Sequence, residues 1–268
     1  MKKNKLSAVI LSGVLFSSIL PVATNAEQAA SNAETKAIVG FSEDESAVNP
    51  INPNNPNETL DPADPGYFPD NEITGNEGTL TLDVVPRLLD FGTHLFSWEK
   101  AEYAATIKNK ESEGLHFLQV TDRRELSNGW ALSASLSEFH EAAKGVGRLK
   151  GVSIQLPKGE VRNLYYGASA ENVPDTSKNL ENILNDPTSV FSHEGMELFA
   201  GEEAKNILAT NKNLKNREEA KNTYELGSGT TTVVWNTTDA KLKVPAKSAS
   251  VGKYSAKINW TLTAPVTE

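Results

Sequence analysis

No cysteine occurs among the 268 residues. Without disulfides the chain has to be stabilised by an ordinary apolar core, and it has no thiol through which a lipid could be attached. Histidine is scarce as well, at four, so a metal site would have to be assembled from scattered carboxylates. Positive charge is in deficit: 26 Lys and Arg stand against 35 Asp and Glu, a formal net charge of -9. The overall field therefore opposes binding to nucleic acid, anionic lipid or other polyanions. Beyond the first residues no apolar run is long enough to span a bilayer, so no membrane insertion is expected.

The start, "MKKNKLSAVILSGVLFSSILPVATNAEQ", has the pattern of a secretory signal peptide. Lys2, Lys3 and Lys5 precede an apolar stretch from Leu6 to Leu20, and small residues Thr24 and Ala26 suit cleavage before Glu27. Removal of residues 1–26 takes away three lysines and no acid, moving the charge from -9 to -12. At the other end, "WTLTAPVTE" carries no sorting motif with an apolar stretch and basic tail. The expectation is a secreted protein without a covalent or membrane anchor.

Residues 27–78 contain "NPINPNNPNETLDPADPGYFPDNEITGNEG", with Pro50, Pro53, Pro56, Pro62, Pro65 and Pro69 among Asn, Asp and Glu. Prolines at that density remove backbone donors, and few apolar residues remain to offset ordering entropy. This part reads as a disordered acidic arm. The acids at Asp61, Asp64, Asp70 and Glu72 lack the spacing and central glycine of a calcium loop.

From Thr79 onward the pattern alternates. In "GTLTLDVVP", Leu80, Leu82 and Val84 oppose Thr79, Thr81 and Asp83 until Pro86 ends the run, as in a half-buried strand. Similar segments follow at 115–122, 128–136, 148–157, 161–167, 230–237, 240–245 and 254–262, punctuated by Gly, Pro, Asn and Asp. They predict an all-β domain over residues 79–268, an antiparallel, Ig-like β-sandwich. Residues 168–229 read as a long decorated connection. It contains one short helix, "GEEAKNILATN" at 201–211, with acids in the first turn.

Trp130-Ala131-Leu132 and Trp260-Thr261-Leu262 repeat one pattern. In a strand, residues i and i+2 face the same way, about 6.5–7 Å apart, so each motif sets an indole beside an isobutyl group. Both lie in alternating segments: Trp130, Leu132, Ala134, Leu136 and Tyr254, Ala256, Ile258, Trp260, Leu262. Two readings follow. Either each face is the inside of the sandwich, where a large ring buries well, or the rings present themselves to a ligand.

The opening "GTLTLDVVPRLLDFG", the central Trp-Ala-Leu and the closing "VPAKSASVGKYSAKINWTLTAP" together resemble the WxL domain, a surface-protein module of low-GC Gram-positive bacteria. The resemblance covers about Thr79 to Glu268, and a signal peptide with an acidic arm upstream is usual for short members. It implies non-covalent attachment to the cell wall, with peptidoglycan as ligand, and co-operation with a membrane-anchored partner. Carried over by position, the motif residues are Trp130, Leu132, Trp260 and Leu262, with Tyr254 opening the closing element. The acidic, lysine-rich segment 194–226 departs from the glycine-rich stretch expected there. Two alternatives to wall binding accompany this reading: a module that docks on the membrane-anchored partner, or an adhesin for host matrix.

Glycan rings present C–H faces that lie flat on indoles, and many weak sites on a polymer give retention by avidity. Around the last motif, Lys241, Lys243, Lys247, Lys253 and Lys257 outnumber Asp239 and Glu268. Such a face suits stem-peptide carboxylates or wall phosphates, while lysines also blunt exposed strand edges.

Signals for catalysis are weak. His140-Glu141 has Lys144 where a zinc protease needs a second histidine, and His193-Glu194 likewise lacks one. "GVGRLKG" at 145–151 precedes a strand rather than the helix a phosphate cradle needs. The sequence offers no catalytic residue, no metal ligand set and no cofactor. If the lysines contribute, raising the salt concentration will weaken retention on purified wall; a salt-independent wall pull-down would exclude them.

Overall fold

The computed structural model describes residues 34–61, 70–108, 114–124, 129–141, 149–164, 191–193, 195–210 and 229–264. The chain divides into Met1–Phe41 and a compact unit from Ser42 to Glu268. In the first, residues 34–41 are exposed and without regular structure. The larger unit is all β.

In chain order its strands are β1 (Ile51–Asn52), β2 (Asn55–Thr59), β3 (Asn71–Ile73), β4 (Leu80–Pro86), β5 (Ala101–Ala104) and β6 (Leu115–Asp122). Then come β7 (Ala131–Leu136), β8 (His140–Glu141), β9 (Ser153–Leu156), β10 (Glu160–Leu164) and β11 (Phe191–His193). The last are β12 (Met196–Phe199), β13 (Lys205–Thr210), β14 (Gly229–Asn236), β15 (Lys241–Val244), β16 (Tyr254–Ser255) and β17 (Ile258–Thr263). They form a five-stranded sheet, β10-β14-β6-β4-β3, and two four-stranded sheets, β11-β13-β7-β17 and β12-β9-β15-β5. Two small ribbons, β1-β2 and β16-β8, complete the set. Every strand pair is antiparallel.

The β7 sheet is the shared layer of an antiparallel sandwich. Leu132 of β7 and Leu208 of β13 pack with Leu82, Leu118, Val120, Val161, Val233 and Trp235 of the five-stranded sheet. Two and four residues further along the same face, Ala134 and Leu136 pack with Ile154, Leu156, Leu198, Leu242 and Val244 of the other sheet. Side chains two apart share a face of a strand, so one face of β7 covers both partner sheets.

The five-stranded sheet is covered on its second face too. Val84, Phe117 and Val234 form a small cluster with Leu60 there. Between Leu82 and Val84 the register with β6 shifts, and this bulge brings Val84 to that same second face, beside Asp83, which strand alternation already points there. Its Oδ2 accepts from the Thr121 hydroxyl at 2.6 Å and the Gln119 amide at 3.0 Å. Burial pushes the Asp83 carboxyl up, against the pull of these donors. Nearby, the imidazole of His116, facing Trp235 across the strands, is held below the usual histidine range by burial, with the Asp70 charge opposing.

Strand expectations hold at 80–86, 115–122, 131–136, 153–156, 160–164, 229–236, 241–244 and 258–263, and the fold class stands. The one strand expected over 254–262 is broken after Ser255 into β16, paired with β8, and β17, paired with β7. Other expectations need correction. The helix expected at 201–211 is strand β13, because pairing along β7 satisfies its backbone and buries Ile207 and Leu208, outweighing local propensity. The connection expected over 168–229 supplies β11, β12 and β13; residues 165–190 and 211–228 lie outside the described residues.

Among its described residues, the arm expected to be unpacked up to Gly78 is docked from about Asp44. Besides the β3–β4 pairing and the few apolar contacts of Ile51 and Leu60, polar side chains hold it, so its composition concealed the docking. Arg123 bonds to the carboxylate of Asp44 at 2.8 Å and to the carbonyls of Ser46 and Gly78. Gln119 accepts from the N–H of buried Ile51 at 2.8 Å and donates to the Asn49 carbonyl at 3.2 Å. Asn71 bridges Leu115 and Phe117 of β6.

Gln119→Ala removes two of these bonds and the one to Asp83, and strands buried partners. It should cost about 1–3 kcal/mol in urea unfolding and expose residues 49–60 to limited proteolysis before the sheets are cut. Uniform resistance of that segment would show that Arg123 and Asn71 suffice to hold it.

Candidate functional site

The two tryptophan motifs come together in one sheet. Gly129 takes φ +87°, a left-handed conformation that suits glycine, and its carbonyl accepts from the Arg124 guanidinium at 2.9 Å. Arg124 is held in turn by a two-pronged pair with buried Asp122, at 2.8 and 2.7 Å. This turn delivers Trp130 to the start of β7.

On β7 and β17 the register sets Leu132 opposite Leu262, Ala134 opposite Trp260 and Leu136 opposite Ile258. The motifs are therefore antiparallel neighbours that meet through their leucines. Their indoles diverge from that pair in opposite directions, about four residues or 13 Å apart along the strands. Small Ala134 makes room across the ladder for the Trp260 ring.

Both motifs face inward. Trp130 is 2% exposed and Leu132 fully buried. Trp260 and Leu262 are half-buried, and Trp260 packs against both large core clusters. The opposite face carries Ser133 and Ser135 beside exposed Asn259, Thr261 and Thr263. β17 pairs only with β7, so its other edge has no strand partner among the described residues. Its lower end is fastened by Ser137, whose N–H donates to the Lys257 carbonyl at 2.9 Å while its hydroxyl accepts from the Lys257 N–H at 2.8 Å.

Tyr254 sits half-buried in the β16-β8 ribbon, its hydroxyl against that of Ser250. The five lysines are spread over several segments. Lys241 and Lys243 project from β15, Lys241 toward the Thr238 carbonyl at 2.8 Å. Lys243 pairs with Glu197 at 3.0 Å and with Gln155 at 3.2 Å. The Ser153 hydroxyl, at 2.5 Å, and then Lys243 hold the Glu197 carboxyl below its usual range. Lys247, Lys253 and Lys257 are exposed, with no ion pair among the described residues.

No group of three or more His, Asp or Glu among the described residues is placed to hold a metal. His140 and Glu141 lie in the β8 ribbon. One exposed aromatic pair, Phe96 and Trp98, lies outside everything the sequence patterns singled out. The signal for it was present: "HLFSW" is rich in large apolar residues yet follows neither strand nor helix periodicity.

A family model described as WxL domain, surface, cell wall-binding matches residues 28–265. No curated protein and no solved structure matches the chain.

Trp130→Ala should destabilise the protein by about 3–5 kcal/mol, the cost of emptying a buried aromatic site. Trp260→Ala should cost less, because its ring is already half in solvent. Chemical denaturation of both variants checks the order, and equal costs would mean that the β17 edge is covered in solution.

Proposed function

The chain belongs to the WxL family of surface, cell wall-binding domains, and from that membership we propose that it is retained by binding peptidoglycan directly, non-covalently and without catalysis. It is a cell-surface protein associated with the cell wall. The observation that carries the proposal is the extent of the match: residues 28–265 take in the whole sandwich and much of the packed arm.

On this reading the tryptophan motifs serve the wall indirectly. Trp130 and Leu132 have no open face to offer a sugar, so they shape the sandwich whose outer surface meets the polymer. Murein repeats one disaccharide many times, and a weak site on each protein can be re-engaged without diffusion away. Among the described residues, no pair of carboxylates, nucleophile with base, or metal set stands out for cleavage of such a polymer.

A second reading is favoured by one observation, the free edge of β17. Its six residues carry no charge, no proline and no bulge, and such an edge accepts an added strand. A membrane-anchored partner of the same surface complex that donates an extended segment would dock there.

Sacculi stripped of protein and teichoic acid separate the two. The unmutated protein should sediment with them, and Trp130→Phe should lose retention only in proportion to its loss of melting temperature. If clean sacculi are ignored while cells displaying a partner are bound, direct murein binding is wrong and strand docking takes its place.

A further inference from the structure

The loop between β4 and β5 holds aromatic rings in solvent on a backbone that is fastened at several points. Leu95 is 94% exposed, Phe96 43% and Trp98 62%. The Phe96 and Trp98 rings meet edge to face, with centroids 5.0 Å apart. Of the four tryptophans, Trp130 and Trp235 are buried and Trp260 is half-buried, so Trp98 alone offers an open indole face.

The exposure does not come from a slack loop. Leu89 and Phe91 pack on the core. Between them, the Asp90 carboxylate accepts from the Gly92 N–H at 2.6 Å and pairs with Lys108 at 2.9 Å. The Asp90 carbonyl accepts from the Thr106 N–H and hydroxyl, at 2.7 and 3.0 Å. His94 stacks on Tyr103 of β5 at 3.7 Å. Beyond the rings, the Trp98 carbonyl accepts from the Lys247 N–H at 2.9 Å.

Lys247 makes that bond from φ +61°, the one positive φ of a non-glycine residue among those described. Glycine would adopt this conformation with less strain. The lysine there is exposed and without an ion pair among the described residues, and its backbone is tied to the tryptophan. The site thus combines a rigid two-ring platform with a cation.

We propose that this loop is the saccharide-contact point of the domain. The Trp98 indole lies against the C–H face of a pyranose ring, Phe96 fixes the indole plane, and Lys247 meets carboxylates carried by the same polymer. Sugars match one open indole well, whereas a stable protein interface buries on the order of 1,000 Å² or more, beyond a platform of this size. The ligand is the glycan strand of peptidoglycan with its acidic stem peptides. This inference rests on the reading of direct murein binding, and it moves the contact from the named motifs to residues 95–98 and 247.

The test uses the full chain on the same stripped sacculi, with Trp98→Ala, Phe96→Ala and Lys247→Gly. Trp98→Ala should lower retention by about tenfold, the loss of one aromatic contact, at an unchanged melting temperature. Lys247→Gly should weaken retention and its salt dependence while raising the melting temperature. Soluble muropeptide fragments should shield one indole from acrylamide quenching, and Trp98→Phe should abolish the shielded component. If the unmutated protein binds sacculi and Trp98→Ala binds equally, the loop proposal falls and wall binding stands. If the unmutated protein does not bind, both fall. Should Trp98→Ala melt early, the quenching decides, and absence of shielding overturns the proposal. A self-association that Trp98→Ala abolishes, without shielding by fragments, would overturn it in favour of contact between copies.

Discussion

The antiparallel pairing of β7 with β17 is the contact on which the rest of the structure depends. It sets Leu132 against Leu262 and gives the Trp260 ring the space left by Ala134. From this seam one face of β7 reaches two partner sheets, so a single strand ties both large clusters into one sandwich. In a chain without disulfides, such a shared layer takes over the task that cross-links perform in small exported domains. The chain's last described strand thereby becomes part of its core, although it lies at a sheet edge.

Seen this way, the family's signature residues are matters of construction. Two indoles about 13 Å apart along the strands, one of them buried, are poorly placed to grip one sugar ring. They are well placed to wedge the ends of a short interface between sheets, where aromatic side chains bury much area for little lost rotamer freedom. The surface is then left to other groups. β15 directs Lys241 and Lys243 outward, and Glu197 already engages one of them. Exposed groups that remain open to a ligand include Trp98 on its loop and Lys247 on its turn.

The arm illustrates a different economy. It carries few apolar residues, yet Arg123 and Gln119 hold its backbone through side-chain hydrogen bonds, and its own Asn71 side chain bonds the backbone of β6. A buried backbone group requires a partner; β4 supplies one by pairing with β3, and Gln119 of β6 with the following Arg123 supplies the others through side chains. The buried Asp83 carboxylate belongs to the same arrangement, accepting from Gln119 and Thr121.

Much of the sandwich was legible in the residues alone. Period-two alternation marked β7, β15 and β17, because one buried face imposes that period on a strand, whereas β6 and β14, covered on both faces, were marked by β-rich runs bounded by turn residues. The repeated Trp-x-Leu spacing likewise established that each indole shares a face with its leucine. What the tertiary structure decided were relations between distant segments: which strand neighbours which, whether Trp130 or Trp98 faces water, and where Lys205–Thr210 finds its partners. A local pattern records how a residue alternates and not what lies across from it. Both a buried and an exposed tryptophan satisfy the same spacing, and a segment of ambiguous propensity adopts the conformation that its neighbour's unpaired backbone requires.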